Sequence, residues 1–260
     1  MGNAQTDSIP WSRNIVVLQR HHCGLYAIQK PAGVRSHPNT KGIDKKAILH
    51  APYDADTQSY ELADCAPHGA LQKLYLLHRL DAPTSGVLLL ADNQATAEAA
   101  RSAFKQKQVT KNYFALVYGS PAEKSGRWRD ELQKHTHQRG RCQYLRMKKG
   151  QGSLAVTDFA WLRSSAKKRI HLLQLSPLTG RTHQLRIQSA LHHLPIVGDK
   201  TYGAFSQNAE LRRYTGYKRL FLHAHRIELP LPTGSGMHNR DRVFFECPTP
   251  DSFDRLLREY

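Results

Sequence analysis

The longest aliphatic run in the chain is Val87-Leu88-Leu89-Leu90-Ala91, closed off by Gly86 on one side and Asp92-Asn93 on the other. Five residues suit a buried strand and fall far short of the ~20 needed to cross a bilayer. The chain must therefore bury many short apolar segments against one another. At 260 residues and 40% hydrophobic composition it has the material for a sizeable core. Its 17 Gly and 13 Pro are scattered, which excludes collagen-like and coiled-coil polymers.

Charge narrows the partners. Thirty-eight Lys and Arg against 21 Asp and Glu leave a net charge of +17, with 15 His counted neutral. A field of that size draws in phosphate polymers or anionic lipid. With no membrane span expected, nucleic acid leads. Residues 1–10 lack a basic stretch followed by an apolar one, so no secretory signal is expected and a cytoplasmic location is. Cys23, Cys65, Cys142 and Cys247 form no Cys-x-x-Cys pair and read as reduced thiols. His21-His22-Cys23 is too crowded to aim three ligands at one ion, so no metal is expected.

Along the chain, residues 1–14 are polar and aperiodic and read as a disordered lead-in. Two short apolar runs, 15–18 and 25–28, suggest a hairpin, broken by the turn Lys30-Pro31-Ala32-Gly33. Residues 36–72 read as mostly irregular. After the strand at 87–91, Asp92-Asn93 offers a helix cap, and Ala97, Ala100 and Phe104 share a helical face. Tyr113, Ala115 and Val117 alternate with their neighbours as in a strand. Residues 124–150 hold nine Lys or Arg against Asp130 and Glu131, and suggest a solvated insertion or an RNA-facing arm. A strand is expected at 170–175. Ile187, Ala190, Leu191 and Leu194 then predict one buried helical stripe, which puts Arg181 and His183 at a helix N-terminus. Strands at 218–229 and 242–246 and a terminal helix at 253–260 complete an expected α+β catalytic domain over 15–260.

Two segments carry chemistry. His78-Arg79-Leu80-Asp81-Ala82-Pro83-Thr84-Ser85-Gly86 sets an acid beside Arg and His in a turn before a strand; by spacing alone it reads first as an ordinary surface-loop ion pair. Thr179-Gly180-Arg181-Thr182-His183-Gln184-Leu185-Arg186 puts two arginines at a turn-to-helix junction, suited to an anion or to plain surface charge.

Taken together these segments resemble the RluA-type family of pseudouridine synthases, over roughly residues 15–229. Lys30-Pro31-Ala32-Gly33, Lys111-x-Tyr113-x-Ala115-Leu116-Val117, Ala155-x-Thr157, Pro195-Ile196-Val197-Gly198-Asp199-x-x-Tyr202-Gly203 and Leu222-His223-Ala224 are similar to further family segments, in family order. Gln29 departs from the Asn that many members carry before Lys-Pro, and no motif explains 124–150. The resemblance implies a mixed, mainly antiparallel central sheet flanked by helices and loops. It also implies an enzyme that isomerises uridine in structured RNA, ribosomal RNA being slightly favoured over transfer RNA.

The implied roles suit the residue types. Breaking the N1–C1′ bond and rejoining the base through C5 requires a carboxylate to attack the sugar or the base, a role that falls to Asp81. Tyr113 would stack on the base and take the C5 proton, and Arg181 would pair with the carboxylate. Arg79 would fill the gap left by the flipped base, with His78 beside it. Thr84, Arg186, Lys148 and Lys149 join the RNA-binding set. The product is an isomer of the substrate, so no cofactor is called for; a monomer is expected. An alternative is a non-catalytic RNA-binding or ribosome-assembly factor on the same fold. A small-substrate glycosidase would need two paired acids in a cleft, and only Asp81 stands in a motif.

Overall fold

A computed structural model describes residues 9–39, 42–62, 72–136, 142–146, 152–167, 169–230 and 241–260. The fold is α+β, and the strand ladders described below are antiparallel. Contacts divide it into two compact units, Met1–Val109 with Arg226–Cys247, and Thr110–His225 with Pro248–Tyr260.

In the first unit, β1 (Val16–Arg20) and β2 (Leu25–Lys30) form the expected hairpin. Gly24 turns it at φ +90°, where a side chain would be strained, and a Cβ there would lie 2.2 Å from Asp92 Oδ1 and force that carboxylate to move. Strands β3 (Tyr53–Asp54), β4 (Ser59–Glu61) and β5 (Lys73–Leu76) pair in order, and β5 continues onto β6 (Ser85–Ala91). β6 also pairs with β2 and every one of its residues is buried, which is what its aliphatic run demands. Helix α1 (Gln94–Lys105) is capped by Asn93, whose side chain accepts from Thr96 N at 2.9 Å; Ala97, Ala100 and Ala103 form its buried face.

One expectation gives way here. Residues 9–12, inside the lead-in read as disordered, are packed: Ile9 is buried, and Ser12 N and His50 N bond Ile48 and Pro10 carbonyls at 2.9 Å each. The described residues of 36–72 are mostly irregular, as read, with two short strands, β3 and β4.

The second unit is built on the ladder β7 (Thr110–Val117), β11 (His171–Pro177), β10 (Ser153–Ser164), β8 (Ser125–Thr136) and β9 (Cys142–Arg146). Ala115, Val117, Leu173 and Leu175 enter one core cluster, while Leu116, Tyr118 and Leu172 enter another on the opposite face. The first cluster includes Leu185 of helix α2 (Gln184–Leu191); the second takes Leu211 of α3 (Phe205–Thr215). Period-two alternation thus feeds two cores at once. The basic segment, expected as an insertion or arm, is largely the regular hairpin of β8 and β9, paired from Leu132↔Arg146 to Thr136↔Cys142. Helix α3 carries no readable sequence signal because Leu211 is its one buried residue.

Strand β12 (Leu222–Pro230) contributes to both units, and its last five residues pair with β13 (Arg242–Glu246) in the first. Helix α4 (Asp251–Glu259) closes the second unit by burying Phe253, Leu256 and Leu257 at i, i+3 and i+4.

Candidate active-site residues

Asp81 sits in the loop between β5 and β6, half-buried, with the peptide units on both sides of it anchored. On the N-terminal side, Ser36 Oγ accepts from Leu80 N at 3.0 Å and donates to Leu80 O at 2.9 Å. Ser36 is held in turn: the Tyr60 hydroxyl donates to its carbonyl at 2.8 Å, and burial pushes that phenol's pKa up. On the C-terminal side, Ala82 O accepts from Gly33 N at 2.7 Å and from Lys30 Nζ at 3.1 Å. Lys30 is fully buried, and its ammonium also donates to Val34 O at 2.6 Å and Pro31 O at 3.0 Å. Three carbonyl dipoles therefore solvate a charge that water cannot reach. Thr84 N closes the turn on Asp81 O at 3.0 Å.

Around the loop the expected RNA contacts divide. Arg79 is exposed, its Nη1 3.2 Å from Nε2 of His37, and the His37 ring stacks on Tyr53 at 5.3 Å. His78 faces inward: its Nε2 accepts from Leu89 N at 3.1 Å and its ring lies 5.2 Å from Phe104. Thr84 is 2% exposed. Its N–H, bonded to Asp81 O, gives Thr84 a part in holding the loop.

Tyr113 and Arg181 belong to the second unit. Tyr113 stands on β7 opposite Leu175 and packs, partly buried, against the cluster that holds Leu185. Arg181 is exposed, three residues before α2, as expected. Its Nε donates to Leu154 O at 3.3 Å, and its backbone N–H donates to Gln184 Oε1 at 3.0 Å. His183, the N-cap, takes φ +56°.

Helix α2 differs from its expected apolar stripe. Ile187 is buried, but so are Gln184, Arg186, Gln188 and Ser189. Gln184 Nε2 donates to Val156 O at 3.0 Å and to Thr157 Oγ1 at 2.9 Å, while Thr179 Oγ1 donates to Gln184 Oε1 at 2.6 Å. Gln188 accepts from Thr157 Oγ1 at 2.6 Å and donates to Asp130 Oδ2 at 2.8 Å. These amides tie the Arg181 turn to β10 and β8, and sequence periodicity could not reveal them because it searches for apolar faces.

Arg186, expected to bind RNA, is 5% exposed and grips Asp199 through two bonds, Nε to Oδ2 at 2.7 Å and Nη2 to Oδ1 at 2.9 Å. Burial pushes the Asp199 pKa up. Arg186 and the Thr201 and Tyr202 N–H groups more than offset this, holding the carboxyl below its ordinary value. The guanidinium is paired with an internal anion, a partner that the sequence reading did not foresee. Lys148 and Lys149 lie outside the described residues. Among the described residues no cluster of three His, Cys, Asp or Glu is placed to hold a metal ion.

The chain matches the family described as RNA pseudouridylate synthase over residues 24–191. It is 35% identical over 205 residues to the ribosomal large subunit pseudouridine synthase C of Rickettsia conorii, covering 78% of this chain and 59% of that protein. It is 34% identical over 219 residues to the tRNA pseudouridine synthase C of Haemophilus ducreyi, covering 80% and 82%. The chain thus spans about three-fifths of the length of the Rickettsia relative. Its fold is like that of human RNA pseudouridylate synthase domain containing 1, with a TM-score of 0.66, 24% identity and coverage of 100% of this chain and 98% of that one.

Proposed function

The chain belongs to the RNA pseudouridylate synthase family, of the RluA type, and on that premise we propose that it isomerises uridine to pseudouridine in structured RNA. Asp81 attacks the sugar or the base, the N1–C1′ bond breaks, the base turns over, and a C5–C1′ bond forms. Tyr113 stacks on the base and removes the C5 proton; Arg181 serves the Asp81 carboxylate; Arg79 occupies the space the flipped base vacates.

The observation that supports this most is the anchoring of Asp81. Two buried side chains, Ser36 and Lys30, hold the carbonyls of the residues before and after it, Leu80 and Ala82. A nucleophile fixed this way needs little reorganisation to react. Ribosomal RNA is the favoured substrate, in line with the names of the Rickettsia relatives, and transfer RNA is the other candidate, after the Haemophilus one.

The test is tritium release from RNA labelled at uridine C5, with wild-type protein and Asp81→Asn. Release by the wild type and none by the variant, with RNA binding retained, is expected. Release by both removes Asp81 from the chemistry. Binding without release by either favours an RNA-binding role without turnover.

A further inference from the structure

We infer that Lys111 is a further RNA-binding residue, which holds a backbone phosphate adjoining the uridine taken up by Tyr113; the inference rests on the synthase reading above. The placement follows from the period of a strand. Lys111, Tyr113, Ala115 and Val117 alternate along β7 and share one face. Ala115 and Val117 lie in the core cluster and Tyr113 packs against it, so Lys111 is the next residue out at the beginning of the strand.

That end of the strand is also where the Arg181 turn lies. Ser176 Oγ donates to Asn112 Oδ1 at 2.8 Å, which sets the start of β7 beside the end of β11. From there the chain passes to Leu178, whose N–H donates to Val156 O at 2.9 Å, and on to Arg181, bonded to Leu154 O. Lys111, Tyr113 and Arg181 therefore occupy one end of the β7–β11–β10 ladder, all within the second unit.

Lys111 is set apart by what surrounds its charge. Other buried cations are neutralised or solvated by the protein, Lys30 by three carbonyls and Arg186 by Asp199. Lys111 is half-buried and, among the described residues, has neither a carboxylate nor a hydrogen-bond acceptor. Burial pulls its pKa below the usual lysine value. A cation kept there lowers the stability of the free chain, and an RNA phosphate is the counter-charge that would make its position favourable.

The test compares wild type, Lys111→Met and Lys111→Arg for urea midpoint, for binding of unmodified ribosomal and transfer RNA transcripts across a salt series, and for tritium release. The expected result is a urea midpoint for Lys111→Met at or above that of wild type. Its affinity should be weaker, its slope of log affinity against log salt flatter by roughly 0.7 to 0.9, and its KM raised more than its kcat is lowered. Lys111→Arg restores the slope. An unchanged slope and affinity in Lys111→Met overturn the inference, as does a lowered urea midpoint or loss of folding, since the argument requires a charge that costs the free chain stability. The two proposals fail separately: a changed slope without tritium release by the wild type sinks the synthase reading alone, whereas release with an unchanged slope sinks the phosphate site alone.

Discussion

Arg186 and Asp199 should respond differently to the loss of each other, because only one of them can shed its charge. In Asp199→Asn the guanidinium, 5% exposed, keeps its charge at any accessible pH but loses its counter-charge and one of the two acceptor oxygens of its bidentate pair. Stranding one member of a buried pair costs about 3–5 kcal/mol, and here the cost should be nearly independent of pH. In Arg186→Met the stranded group is a carboxylate. It keeps the N–H groups of Thr201 and Tyr202, 2.8 and 3.1 Å away, but burial now pushes its pKa upward unopposed by the guanidinium. A similar cost is expected at neutral pH, shrinking as acid protonates the group. The wild type runs the other way. Its Asp199 pKa lies below the ordinary 3.8, so the pair's contribution is full above 3.8 and is lost as pH falls through the depressed folded value. Urea unfolding of all three proteins from pH 4.5 to 8 should therefore show wild type and Arg186→Met converging toward acid while Asp199→Asn stays apart. Unfolding free energies within about 1 kcal/mol of wild type for both variants at pH 7, or a flattened salt slope in RNA binding with stability intact, would show Arg186 to be a surface contact and refute the reasoning.

Three further outcomes are expected. Lys30→Met removes three charge-assisted bonds and leaves Pro31, Val34 and Ala82 carbonyls short of a donor, so it should cost about 3 kcal/mol or more in urea unfolding and lower turnover. Tyr113→Phe keeps the ring while losing the phenol; RNA binding near wild type with a block after glycosidic cleavage is expected, and a wild-type isomerisation rate would leave Tyr113 a packing role only. Replacing Lys148 and Lys149 together with Ala should weaken RNA binding and flatten its salt slope by roughly 0.7 to 0.9 for each phosphate no longer neutralised, and an unchanged slope would mean that both face solvent.

Much of this protein was legible in its sequence because the relevant signals are local. An aliphatic run between Gly86 and Asp92 can hardly be other than a buried strand, and it is β6. Asn93 caps α1 through a bond to a residue three positions on, and alternation along β7 sorts its side chains onto two faces. Pro83 and Gly86 marked the loop that holds Asp81 as a turn before a strand, whereas the role of the acid came from the resemblance and not from its spacing. Partners distant in the chain were not legible. Lys30 reaches Ala82 across 52 residues, Ser36 reaches Leu80 across 44, and Gln188 reaches Asp130 across 58. A composition or period cannot distinguish a lysine solvated by carbonyls from one solvated by water, nor an arginine paired with Asp199 from one offered to RNA. Charge by itself marks a side chain as exposed, and only the fold, by placing a fixed dipole or counter-charge within hydrogen-bonding distance, makes the buried alternative stable.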